Sequence, residues 1–206
     1  MITTSDKAVV EIVEEAQRRN DMNLQRQKAI RENWKMLKQQ KFGITDQLVS
    51  PAILDYDAER MFSDVMADGA WKGQRCFIIG GGESLKNFDF SKLKNELVIA
   101  VNRAYEKIDC AIMFAMDKNL YHWITDGKLG QVAKEKFETF TGFRVWLDSA
   151  GYNYPRGIHV LQKTGGRALS DSLKAGIGGG TNSGYGALNL AVCLGANPIY
   201  LLGFDM

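Results

Sequence analysis

Histidine, proline and cysteine are all scarce in this chain: two, three and three residues among 206. With only His122 and His159 to offer, it has few imidazoles for general-base catalysis or metal ligation. Cys76, Cys110 and Cys193 each lie in an apolar segment, and neither a CxxC nor a Cys/His spacing is present. A disulfide framework and a zinc site are thus excluded, and reduced core thiols are expected. No run of five basic residues occurs, and 26 Lys and Arg against 24 Asp and Glu leave a net charge of +2. That balance gives no electrostatic footprint for nucleic acid. No apolar run reaches 18 residues and Met1–Asp6 is polar, so neither a membrane span nor a secretory signal is expected, and the reading is a soluble, cytoplasmic protein. What is present is ordinary for a globular chain: 45% hydrophobic and 24% charged residues, enough for one α/β domain and an extension.

Residues 1–70 read as that extension, and 71–206 as the domain. From Ser5 to Gln40 there is neither glycine nor proline, and Val9, Ile12, Val13 and Ala16, then Ile30, Trp34 and Leu37, recur at helical spacing. Glu14/Arg18 and Glu15/Arg19 stand four apart with the acid first, which supports an exposed helical face. Gly43 is a stop signal. These helices either fold back on the domain or form an arm for a partner, including a second copy of the chain; the stripe is too irregular for sustained heptads. Ser50-Pro51 opens a further helix over about Ala52–Met66, closed by Asp68-Gly69.

Past Trp71 the rhythm changes to short apolar runs: Cys76–Ile79, Leu97–Val101, Cys110–Met116, Phe143–Leu147, Ile158–Leu161 and Ile199–Leu202. Continuous apolar strands are buried on both faces, so a mostly parallel sheet covered by helices is expected, in a doubly wound, Rossmann-like α/β arrangement. Such sheets bind ligands beyond the C-terminal ends of their strands. The residues that follow the runs are Gly80–Ser84, Asn102, Asp117, Asp148 and Asp205.

The first of these, Gly80-Gly81-Gly82-Glu83-Ser84-Leu85, is not a dinucleotide fingerprint. That motif needs a small residue where Leu85 stands and an acid where the second strand ends in Asn102. No GxxxxGK[ST] occurs either, which removes the Walker loop. What remains is a glycine turn whose N–H groups, with Ser84 at a helix start, could hold a phosphate or a sugar hydroxyl; a plain strand-to-helix turn is the alternative. A second glycine loop, Gly176–Gly180, leads through Thr181, Asn182 and Ser183 into an apolar helix that ends near Gly195. Its functional reading is a second set of backbone donors and hydroxyls at a helix N-terminus, and its plain reading is a lid and an N-cap. Two such corners on one sheet edge would make a nucleotide-sized cleft.

The segment GGGESLKNFDFSKL followed by VIAVNRAY resembles the G-N-G-P-S-L…(I/F)-D-(Y/F)-S-x-L…N pattern of the bacterial sialyltransferases of the Campylobacter type. TNSGYGALNLAVCLGANPIYLLGFDM resembles their T-S-G…A…LG…IYL-x-G-x-D segment. Both blocks are also similar to the motility-associated-factor and hydroxymethylpterin diphosphokinase-like domain family, and the resemblance covers roughly residues 72–206. It implies a glycosyltransferase that moves a sugar from a nucleotide donor, of cytidine type, to a hydroxyl on a glycan or protein. Gly80, Gly81, Gly82 and Ser84 would lie against the phosphate and sugar of the donor, Asn102 would contact it, and Thr181, Asn182, Ser183 and Gly184 would line the other side, with Asp205 at the edge of the cleft. Departures from the pattern are Gly81 in place of Asn, Glu83 in place of Pro, and the added Asn182. The family's general-base histidine follows the G-x-D strand, so the resemblance also implies that this chain carries a donor cleft without its whole active site.

Candidates for the chemistry are Asp117, as general base or metal ligand, and His122, on a helix between Tyr121 and Trp123. Their plain readings are an N-cap for Asn119–Thr125 and a helix-surface residue. His159, which begins a strand, and the Asp55/Asp57 pair read as structural. Tyr152 and Tyr154 read as core or rim aromatics, with stacking on a base the functional alternative. Two other readings stay open: a pterin or nucleotide diphosphokinase-like enzyme using magnesium at Asp117 or Asp205, and a nucleotide-binding module without catalysis.

Overall fold

The computed structural model describes residues 61–148, 154–155, 157–164 and 168–205. By compactness the chain separates into Met1–Pro51 and Ala52–Met206, and every described residue belongs to the second unit. The N-terminal helical pattern and the Asp55/Asp57 pair fall outside the described residues.

Six of the strands form one sheet: β1 (Cys76–Ile79), β2 (Leu97–Val101), β3 (Ile112–Ala115), β4 (Phe143–Leu147), β5 (His159–Leu161) and β8 (Ile199–Leu202). Its order is β5-β4-β3-β2-β1-β8, and each neighbouring pair is parallel. The expected parallel α/β sheet is therefore present, one strand for each apolar run. Every residue of β2 and β3 is buried, as continuous apolar strands between covered faces require. A small second sheet pairs β6 (Lys163–Thr164) with β7 (Ile177–Gly178); two-residue strands carry no periodicity, and the sequence gives no sign of them.

Helix α1 (Phe62–Val65) begins after Met61, which is extended, so the helix expected over Ala52–Met66 does not run unbroken to Met66; residues 52–60 lie outside the described residues. Phe62 is fully buried, edge-on to Phe143 at 5.5 Å and tilted against His159 at 6.0 Å, while Met61 bridges to Val160. Residues assigned from sequence to the extension thus close the β5 side of the core. Helices α2 (Lys118–Thr125) and α3 (Gln131–Glu138) connect β3 to β4. The side chain of Asp117 accepts from the Asn119 N–H and caps α2. Helix α4 (Ser183–Cys193) crosses β1, β2 and β3. Gly186 allows this approach, since a Cβ there would lie 2.9 Å from Phe114 Cζ. Asn189, fully buried in α4, accepts from the N–H groups of Gly178 (2.6 Å) and Ser170 (3.0 Å) and donates to the Ser170 carbonyl (2.6 Å). Its amide thereby ties the second glycine loop to the helix that follows.

Candidate functional site

Chain order places the site. From β1 the chain proceeds through β2, β3, β4 and β5 to one side, and only β8 lies on the other. Strands β1 and β8 are neighbours where the strand order reverses, the place at which open α/β sheets bind ligands, and both glycine corners approach the residues that follow β8.

The corner after β1 is tied down by the chain that follows β8. The Gly80 N–H donates to the Leu202 carbonyl (2.8 Å), and the Gly82 N–H to the Gly203 carbonyl (2.9 Å). The Asp205 carboxylate accepts from the Ser84 N–H (2.8 Å) and from the Ser84 hydroxyl (2.5 Å). These bonds, the hydroxyl's foremost, hold the Asp205 carboxyl below its ordinary pKa. The carboxylate stands where a side chain on residue 82 would begin: a Cβ on Gly82 would lie 2.5 Å from Asp205 Oδ2 and 2.7 Å from the Gly203 carbonyl oxygen. Backbone donors expected to face a phosphate are thus taken up inside the protein, and a fixed negative charge lies among them. Ser84 does not start a helix of any length; it sits in a single 3-10 turn, Glu83–Leu85. Glu83 points outward and pairs with Lys86 at 3.0 Å. Gly81 alone faces open space.

The corner before α4 differs. Asn182 is the N-cap, its side chain accepting from the Tyr185 N–H at 2.9 Å. Thr181 and Asn182 are exposed, and Ser183 and Gly184 half-buried. The first N–H groups of an α-helix find no partner within the helix, so those of Ser183 and Gly184 remain as donors at the positive end of the helix dipole. Gly180 has φ +51 and fits against the Tyr185 ring, where a Cβ would lie 2.6 Å from Cδ1.

Phe204 joins the two corners. A Cβ on Gly184 would lie 2.4 Å from its Cε1, and one on Gly80 would lie 3.3 Å from its Cε2. The ring is seated between the glycines, and 37% of the residue is exposed. Reading the sequence misses this residue; the signal was its place directly after a strand and beside a glycine, in GFDM.

Asn102 opens a 3-10 turn, Asn102–Glu106, at the end of β2, with φ +53. Asparagine tolerates this left-handed backbone better than most residues, and Asn95, in the turn before β2, adopts it too at φ +68. Asp117 and Asp148 follow β3 and β4 and are exposed. His122 lies half-exposed on α2, edge-on to Tyr121. Tyr154 is buried against Trp146 and Tyr121, so it is a core residue and is not available to stack on a base; Tyr152 lies outside the described residues. Among the described residues no three His, Cys, Asp or Glu side chains gather as a metal site, and no helix is long and apolar enough to cross a membrane. Cys76, Cys110 and Cys193 are free thiols, and desolvation pushes them up to about 12, 12 and 11, which favours the protonated thiol at neutral pH.

Comparison with known protein families, curated proteins and solved structures finds no match to this chain.

Proposed function

We propose that residues 71–206 form a Rossmann-like domain that binds a nucleotide or nucleotide-sugar at the C-terminal edge of its sheet, as the donor-binding part of a glycosyltransferase of sialyltransferase-like or motility-factor-like type. The observation that carries this reading is the meeting of two glycine corners on one aromatic ring, Phe204, at the point where strand order reverses.

The corners divide the work differently from a pair of phosphate cradles. The anionic group goes to the N-terminus of α4, where the N–H groups of Ser183 and Gly184 and the hydroxyls of Thr181 and Ser183 supply donors to it. The Asp205 carboxylate repels phosphate from the β1 corner and accepts hydrogen bonds from neutral hydroxyls, as the sugar of a nucleotide offers. Asn102 supplies an amide at the end of β2 for a polar edge of the same ligand. Catalysis in such a cleft rests on positioning and backbone donors, with Asp117 and His122 the candidate bases for an acceptor hydroxyl.

Calorimetric titration with cytidine, uridine and adenine nucleotides, with and without magnesium, tests the reading. Binding of a nucleotide or its sugar ester without metal is the expected result. Binding of ATP only with magnesium would move the assignment to the diphosphokinase-like class. No binding at millimolar concentration would overturn it.

A further inference from the structure

We infer that Phe204 is the platform on which the planar base of the ligand stacks; this rests on the nucleotide-binding reading above. Exposure alone does not single out Phe204, since Trp123 and Tyr200 are more exposed; its seat between the two glycine corners does. Here the ring is not loosely exposed. A Cβ on Gly184 would lie 2.4 Å from its Cε1, so no side chain fits there without moving the ring; at Gly80 the ring only comes close, 3.3 Å from a Cβ that the Gly203 carbonyl oxygen already blocks at 2.4 Å. Gly184 thus makes room for the ring, which is seated between the two corners while over a third of the residue stays open to solvent. A ring seated in place before the ligand arrives loses little freedom when a base stacks on it. Its neighbours complement a nucleoside, with the Asp205 carboxylate next in sequence to meet hydroxyls, and the Ser183 and Gly184 N–H groups beyond Gly184 to meet a phosphate. Stacking tolerates any base, since every base has a π-face; Phe204 would set affinity for a heterocycle without choosing among heterocycles.

The test uses the full chain and two kinds of probe. Cytidine, uridine and adenosine monophosphates carry a base, and ribose 5-phosphate carries the same sugar and phosphate without one. Phe204→Leu keeps an apolar side chain of similar length and removes the π-face, and Phe204→Tyr restores it. The expected result is that Phe204→Leu weakens each monophosphate about fivefold or more, leaves ribose 5-phosphate unchanged, and is rescued by Phe204→Tyr. Reduced ultraviolet absorbance of the bound base in the parent protein, lost in Phe204→Leu, would support the same conclusion. Equal affinity of parent and Phe204→Leu for the monophosphates would overturn the inference and leave the nucleotide reading standing. A parallel loss for ribose 5-phosphate would also overturn it, by showing that the ring only props the corner open. Failure of every monophosphate to bind the parent protein would remove both.

Discussion

The two glycine corners look alike as sequence and differ as chemistry. Both are runs of glycine that lead within a residue or two to a hydroxyl-bearing side chain and a helical turn. After β1, the N–H groups of Gly80, Gly82 and Ser84 are spent on Leu202, Gly203 and Asp205, and Gly82 is small because a carboxylate stands where its side chain would be. Before α4, the chain is held from beneath by buried Asn189, while the N-terminus of the helix keeps its donors toward the edge of the sheet. Glycine at a strand end thus states only that something approaches closely. Whether the visitor is a ligand or another stretch of the same chain depends on residues more than 100 positions away.

Removing the Asn189 amide should break the second corner most severely. Asn189→Ala leaves the Gly178 and Ser170 N–H groups without their partner and the Ser170 carbonyl with only the Cys193 thiol, at about 1–3 kcal/mol for each buried group left unsatisfied. A net loss of roughly 2–4 kcal/mol by urea unfolding is expected. At the first corner, Gly82→Ala forces a methyl into the Asp205 carboxylate and the Gly203 carbonyl oxygen, and a loss of about 1–3 kcal/mol is expected by the same measurement.

Ser84→Ala sharpens the comparison without unfolding anything. The Ser84 hydroxyl is the largest cause of the depressed Asp205 pKa, so the Asp205 carboxyl, followed by carbon NMR against pH, should titrate closer to the ordinary carboxylate range in the variant. Since the folded pKa lies below the unfolded one, the latch between Asp205 and Ser84 is fully present above the unfolded value and is lost as pH falls through the folded value. In the parent protein that window lies below ordinary carboxylate pKa values; in Ser84→Ala it should narrow. The smallest effect belongs to Gly81→Ala. With nothing within 4 Å of a Cβ and no positive φ, its stability should stay within about 0.5 kcal/mol of the parent. A large loss there would mean that the β1 loop is held by more than its two outer glycines.

The sheet was legible because burial on both faces writes itself into sequence as unbroken apolar runs, and each of the six became a strand. The capping role of Asp117 was legible too, since an N-cap and its helix are neighbours in the chain. The fate of the Gly80–Ser84 donors was not, because Ser84 and Asp205 are 121 positions apart and no local pattern records such a bond. Tyr154 was left between core and rim for a related reason: a tyrosine before a proline looks like a loop rim until Trp146 and Tyr121 are seen to enclose it. Phe204 went unnoticed because one aromatic among glycines has no periodicity to announce it.

The register of β8 sets the order in which the proposed site comes into being. Along β1, Cys76 pairs with Leu97, 21 positions on, and with Ile199, 123 positions on. Closing the longer loop costs roughly 1.5 kcal/mol more chain entropy if nothing between is folded, and β8 buries less apolar surface in return, since Tyr200 and Leu201 stay exposed. Pairing of β8 with β1 is therefore the natural last step of assembly and the natural first step of opening. Amide exchange should be slowest across β2 and β3 and fastest, among the sheet strands, in β8. A chain that has lost only β8 keeps most of its sheet and core while Phe204 and Asp205 move away from the glycine corners, so the proposed binding site would be lost while most of the secondary structure remains.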